Sequence, residues 1–141
     1  MISVTKIFHF EMAHAIYGYS GDCKHIHGHS YKLHVTVSGN GIPDSIIPEN
    51  GFIIDFKLLK QLVNENIIKL LDHKLVLSKV FLDAHPQTET LQNLLVLDFE
   101  PSAENLLLYV KFIISEKLPA DIQINELCLY ETSDSYARWR P

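Results

Sequence analysis

Cysteine is scarce in this chain: only Cys23 and Cys128 occur among 141 residues. Two thiols do not make a disulfide framework, so each is either packing or chemistry. Basic blocks are absent, and the net charge is −5 with histidine neutral. That argues against nucleic acid as the main partner, because a phosphate backbone demands clustered Lys and Arg. A small anionic substrate needs only a local patch and stays allowed. No apolar run approaches the ~20 residues of a membrane span. The first residues lack the basic and apolar regions of a signal peptide. The expectation is a cytoplasmic protein with no membrane partner. No repeat, low-complexity stretch or linker divides the chain, so residues 1–141 read as a single domain.

Histidine is plentiful. Eight occur, and four of them lie between His14 and His29. His27 and His29 flank Gly28, and residues two apart on a strand share a face. His14 ends a second alternating run through Phe8, Phe10 and Met12. An antiparallel pairing with His14 opposite His29 sets Met12 against Tyr31, Phe10 against Leu33 and Phe8 against Val35. Three imidazoles then gather at one end of the ladder. Three neutral His ligands leave one position of a tetrahedral Zn²⁺ open, the usual layout of a catalytic site. Zinc is favoured over iron because no sequence-near carboxylate completes a facial triad.

The rest of the pattern predicts an α+β domain in the order β-β-α-α-β-β, with two helices covering one face of an antiparallel sheet. Strands are expected over 2–14 and 27–39, with a turn over Gly39–Pro43. Asp55 caps a helix whose apolar spacing runs to about Leu71. Residues 74–100 resist assignment; short strands at Val76–Ser78 and Leu94–Leu97 are possible, and Pro86 breaks the middle. Ser102 caps a second helix that Pro119 ends. Strands follow over 123–131 and 136–140. The polar row Ser30, Lys32, His34 and Thr36 needs water or a partner subunit, which points to a homo-oligomer.

Three further positions can carry chemistry. Cys23, four residues before His27, is either a fourth ligand closing a structural site or a nearby thiolate base; spacing leaves both open. Asp72 and His73 are either an ordinary helix end or a carboxylate-oriented acid–base pair, and spacing favours the former. Glu131 shares a strand phase with Leu127 and Leu129. It is either a strand-end residue reaching water or a carboxylate gripping two adjacent N–H groups of a pterin- or guanine-like ring.

Together these residues resemble the 6-pyruvoyl-tetrahydropterin synthase and 6-carboxy-tetrahydropterin synthase family. The anchors are Phe10 to His14, Cys23 to Tyr31, Gly51 to Phe56, Leu71 to His73, Pro101 to Asn105 and Tyr130 to Thr132, in the family's order. The resemblance implies a tunnelling fold, in which subunit sheets join into a barrel, a hexamer, and active sites between subunits. It implies that His14, His27 and His29 hold zinc, that Cys23, Asp72 and His73 are catalytic, and that Glu131 anchors a pterin. Glu104 matches a commonly retained position and is carried as a second substrate-binding residue.

Three residues separate Cys23 from His27, which resembles the bacterial 6-carboxy branch of queuosine precursor synthesis. The implied reaction converts 7,8-dihydroneopterin triphosphate to 6-carboxy-5,6,7,8-tetrahydropterin, acetaldehyde and triphosphate. The alternatives are the same fold stopping at the 6-pyruvoyl product, and a non-catalytic zinc-binding module. Lys24, His25, Lys32, Arg138 and Arg140 are all candidates for holding the triphosphate. The chain departs from the family in a longer 74–100 segment, and in Ala103 where Ser or Thr is common.

Overall fold

The computed structural model describes residues 2–41 and 45–141. Ile42 and Pro43 of the expected turn lie outside the described residues. Strands β1 (Val4–His14) and β2 (His27–Gly39) form a long antiparallel ladder. Phe8, Phe10, Met12 and His14 point inward from β1, and Tyr31, Leu33, Val35 and Val37 from β2. The face assignment follows from the period of two.

The register differs from expectation by two residues. His14 lies opposite His27, Met12 opposite His29, Phe10 opposite Tyr31 and Phe8 opposite Leu33. A shift of two keeps every side chain on its face, so the imidazoles still converge. Cross-strand packing accounts for the choice. Phe10 and Tyr31 stack with ring centroids 5.1 Å apart, and Val4 meets Val37. In the expected register Val4 would have met Gly39, which has no side chain to pack.

Strands β5 (Ile122–Tyr130) and β6 (Tyr136–Trp139) continue the antiparallel ladder beyond β2. The register of β5 shifts between Thr36 and Val37, leaving Asn125 as an extra residue. That bulge changes the inward phase, so Ile122 and Ile124 are buried along with Leu127 and Leu129. Ser38 Oγ donates to Asn125 Oδ1 at 2.7 Å and ties the bulge down.

The 74–100 segment adds two strands that the expected order lacks. They are β3 (Lys74–Ser78), parallel to β1, and β4 (Leu94–Leu97), parallel to β3. The sheet is therefore mixed, with strand order β4-β3-β1-β2-β5-β6. Among the described residues there are four α-helices: α1 (Phe56–Val63), α2 (Lys69–Leu71), α3 (Lys79–Ala84) and α4 (Ala103–Lys117).

Asp55 caps α1 by accepting from the Lys57 N–H, and Ser102 caps α4 by accepting from Asn105. A π-helical turn over Asn64–Ile68 joins α1 to α2. Leu59, Val63, Ile67 and Leu71 from the α1–α2 run and Leu106, Val110 and Ile114 from α4 enter one core with the inner sheet face. The opposite sheet face stays polar, with Lys32, His34, Glu126, Arg138 and Arg140 on it by strand parity.

Candidate active site

The ends of β1 and β2 bring His14, His27 and His29 together. Among the described residues, these are the group whose ligand atoms lie within 4.8 Å of one another. His14 Nδ1 lies 2.7 Å from the Pro101 carbonyl oxygen, and His27 Nδ1 lies 2.7 Å from that of His25. A carbonyl only accepts, so each Nδ1 carries the hydrogen and donates. Each Nε2 is left with a lone pair, and the two Nε2 atoms stand 3.1 Å apart. Facing lone pairs at that distance repel unless a cation lies between them. A tetrahedral ion with Zn–N bonds of about 2.0–2.1 Å separates its ligand nitrogens by roughly 3.3 Å. The donor set fits a divalent cation, and the carbonyls orient the ligands as second-sphere partners do at metal sites. Burial holds the His14 imidazole below its ordinary pKa, outweighing the upward pull of the Pro101 contact and Glu131. A neutral ring is the ligating form.

Cys23 sits in a 3-10 turn over Asp22–Lys24 and is exposed. The Ile16 N–H donates to its carbonyl at 2.8 Å, closing the loop onto the end of β1. Glu100 fastens the same loop from the far side. Its carboxylate accepts from the Tyr17 N–H at 2.9 Å and from the Ser78 hydroxyl at 2.6 Å. Glu100 and Pro101 therefore position the Cys23 loop and the His14 ring from adjacent residues.

A cavity of about 400 Å³ opens here, lined by His14, Cys23, Glu104, Glu131 and Tyr136 among others. Glu131 follows β5 and turns inward, as its phase predicts. Its Oε1 accepts from the Tyr31 hydroxyl at 3.4 Å and lies 3.8 Å from His14 Nε2. Thus a carboxylate absent from the sequence neighbourhood of the histidines is present in space, which removes that ground for preferring zinc to iron. Neither Glu131 nor Cys23 joins the cluster of ligand atoms.

Asp72 and His73 do not join this cavity within one chain. Asp72 accepts from the Glu11 N–H at 2.9 Å, and His73 Nδ1 lies 3.0 Å from its other oxygen. His73 takes a positive φ of 59°, and its N–H donates to the Glu11 carbonyl. It lines a separate shallow cavity with Glu11, Gly28 and Ser30, residues whose parity places them on the opposite sheet face.

Sequence reasoning missed Tyr31, Glu100 and Pro101. Tyr31 carried a signal, since its phase put a hydroxyl on the histidine face. Burial, helped by Glu131, pushes that phenol well above its ordinary value, so it stays a donor. Glu100 and Pro101 carried none, because their contacts reach residues more than twenty positions away.

The sequence pattern of the family described as 6-pyruvoyl tetrahydropterin synthase matches residues 3–141. A 6-carboxy-5,6,7,8-tetrahydropterin synthase of Rickettsia typhi is 33% identical, covering 96% of this chain and 98% of that protein. A protein of the same name from Haemophilus influenzae is 30% identical over 99% of each chain. A dihydroneopterin monophosphate aldolase of Pyrococcus furiosus is 27% identical over 89% of this chain and 85% of its own. Among solved structures, the Caenorhabditis elegans 6-pyruvoyl tetrahydropterin synthase superposes with a TM-score of 0.69 at 17% identity, covering 99% of this chain and 95% of that one. An uncharacterized protein of Wolinella succinogenes gives 0.73 at 18% identity, covering 99% and 97%. These similarities agree with the α+β architecture and make the fold a tunnelling fold. Sequence pattern, relatives and fold thus converge, and this chain belongs to the 6-pyruvoyl tetrahydropterin synthase family as a lyase-type enzyme.

Proposed function

We propose that the protein converts 7,8-dihydroneopterin triphosphate and one water molecule to 6-carboxy-5,6,7,8-tetrahydropterin, acetaldehyde and triphosphate, with zinc on His14, His27 and His29. The observation that carries this reading is one cavity lined by an imidazole of the cluster, the accessible Cys23 thiol and the Glu131 carboxylate. The relatives named for that product at 33% and 30% identity support it.

Glu131 binds the pterin by accepting a ring N–H and the exocyclic amine in parallel, a charge-assisted pair that fixes the ring. The Tyr31 hydroxyl holds the carboxylate in place from behind. Glu104, in the first turn of α4, lines the same cavity and is the second substrate contact. Bound zinc supplies Lewis acidity toward the side-chain oxygens of the substrate. Cys23 removes and returns protons at the side-chain carbons.

The Asp72–His73 pair serves as proton relay to a site on another copy, since its own chain turns it away from the cavity. The exposed relay, the polar sheet face and the strand edges support an oligomer with shared sites. Among the described residues, β1 pairs on its outer side only at Met12–His14, and β6 has a single partner. Open edges of that length invite pairing with another copy. A fully active monomer in sedimentation would overturn the shared site.

Product analysis tests the reaction. Protein incubated with 7,8-dihydroneopterin triphosphate should release acetaldehyde and the 6-carboxy product. Triphosphate with a 6-pyruvoyl product and no acetaldehyde would assign the shorter reaction. Zinc binding with no turnover would assign a non-catalytic module.

A further inference from the structure

A second cavity of about 320 Å³ adjoins the first. Ile16 and Tyr19 line both, so the two share a wall. The second is also lined by Lys24, His25, Phe81 and His85. Its lining holds one lysine and two histidines, all able to donate hydrogen bonds, and no Asp or Glu is among the described lining residues. Cys23, Lys24 and His25 are consecutive, so the same stretch places Cys23 at one cavity and two basic residues at the next. His85 comes from the 74–100 segment. Its ring stacks on Phe81 with centroids 4.6 Å apart, and Nδ1 lies 3.2 Å from the Phe81 carbonyl oxygen. Both contacts fix the ring, and Nε2 has no hydrogen-bond partner among the described residues.

We infer that this cavity is a polyphosphate subsite, in which Lys24, His25 and His85 hold the phosphate tail of the substrate. The inference rests on the reaction proposed above, whose substrate carries its phosphates on the side chain that must lie beside Cys23. The other basic candidates are engaged elsewhere. Lys32 Nζ lies 4.6 Å from the Tyr130 ring centroid, while Arg138 and Arg140 pair with Glu126 on the opposite sheet face. The extra segment of this chain thus supplies one wall of the subsite.

The test is calorimetric titration of the intact zinc-loaded protein with two separate probes, inorganic tripolyphosphate and phosphate-free 7,8-dihydroneopterin. Tripolyphosphate should bind the wild type. His85→Ala and Lys24→Ala should each weaken it about tenfold or more, the scale of one charge-assisted contact. His85→Arg, which supplies an N–H donor at the same position, should retain most of the affinity. Lys32→Ala should have no effect. Zinc content and dihydroneopterin affinity should be unchanged in His85→Ala, which separates a lost contact from misfolding. Equal tripolyphosphate affinity in wild type, His85→Ala and Lys24→Ala would overturn the subsite, as would its absence from the wild type. Failure of the wild type to bind dihydroneopterin, with the tripolyphosphate pattern intact, would instead overturn the pterin reading and leave an anion pocket.

Discussion

Removing the metal should cost this protein much of its thermal stability. The reason lies in the 3.1 Å separation of His14 Nε2 and His27 Nε2, both left as acceptors by Nδ1 contacts to carbonyls. Without a cation this pair is repulsive, and relieving it by turning a ring breaks a hydrogen bond of about 0.5–1.5 kcal/mol. An ion that binds only the folded chain adds RT ln(1 + [L]/Kd), about 4 kcal/mol at a thousand times Kd. For a chain of this size that corresponds to roughly 10–20 °C in Tm. Scanning calorimetry with and without a strong chelator should show a drop of that order. In His27→Ala two imidazoles remain, the ion is held poorly, and the chelator-induced drop should shrink to about a few degrees. Cys23→Ala should keep the full drop, because Cys23 stands outside the ligand cluster. An unchanged Tm on chelation of a zinc-loaded sample would refute the argument, as would a full drop in His27→Ala. Loss of the drop in Cys23→Ala would make the site a closed one with four ligands.

Three further outcomes are expected. Iodoacetamide should label the exposed Cys23 before Cys128, which is 2% exposed and whose thiol burial pushes upward; mass spectrometry of peptides reads the order, and equal labelling would contradict it. Glu131→Gln replaces one acceptor with a donor and should weaken pterin binding about tenfold or more at constant zinc content; wild-type affinity in a titration would move the anchor to Glu104. Asp72 is held below its ordinary pKa chiefly by the Glu11 N–H, with His73 adding to it. A depressed folded pKa contributes stability that is present above the unfolded value of about 4 and is lost as pH falls through the lower folded one. Asp72→Asn should therefore lower Tm at neutral pH and not at the acid end; a uniform loss at every pH in melting curves would sink this linkage.

Much of this protein was legible in the order of its residues. Alternation placed Phe10, Met12, His14, His29 and Tyr31 on one face, since a strand's period of two needs no tertiary information. Asp55 and Ser102 marked both long helices, since an N-cap is a contact between residues two or three apart. Period alone could not set register, and the β1–β2 ladder settled two residues from expectation, where Phe10 stacks on Tyr31. It offered β3 and β4 only as possible strands, because the strand character of short apolar runs depends on parallel partners far along the chain. The placement of Glu131 beside His14 and the separation of Asp72–His73 from that cavity belong wholly to the tertiary structure. Local sequence sets the direction of a side chain; which distant side chain it meets is decided by how sheet and helices pack.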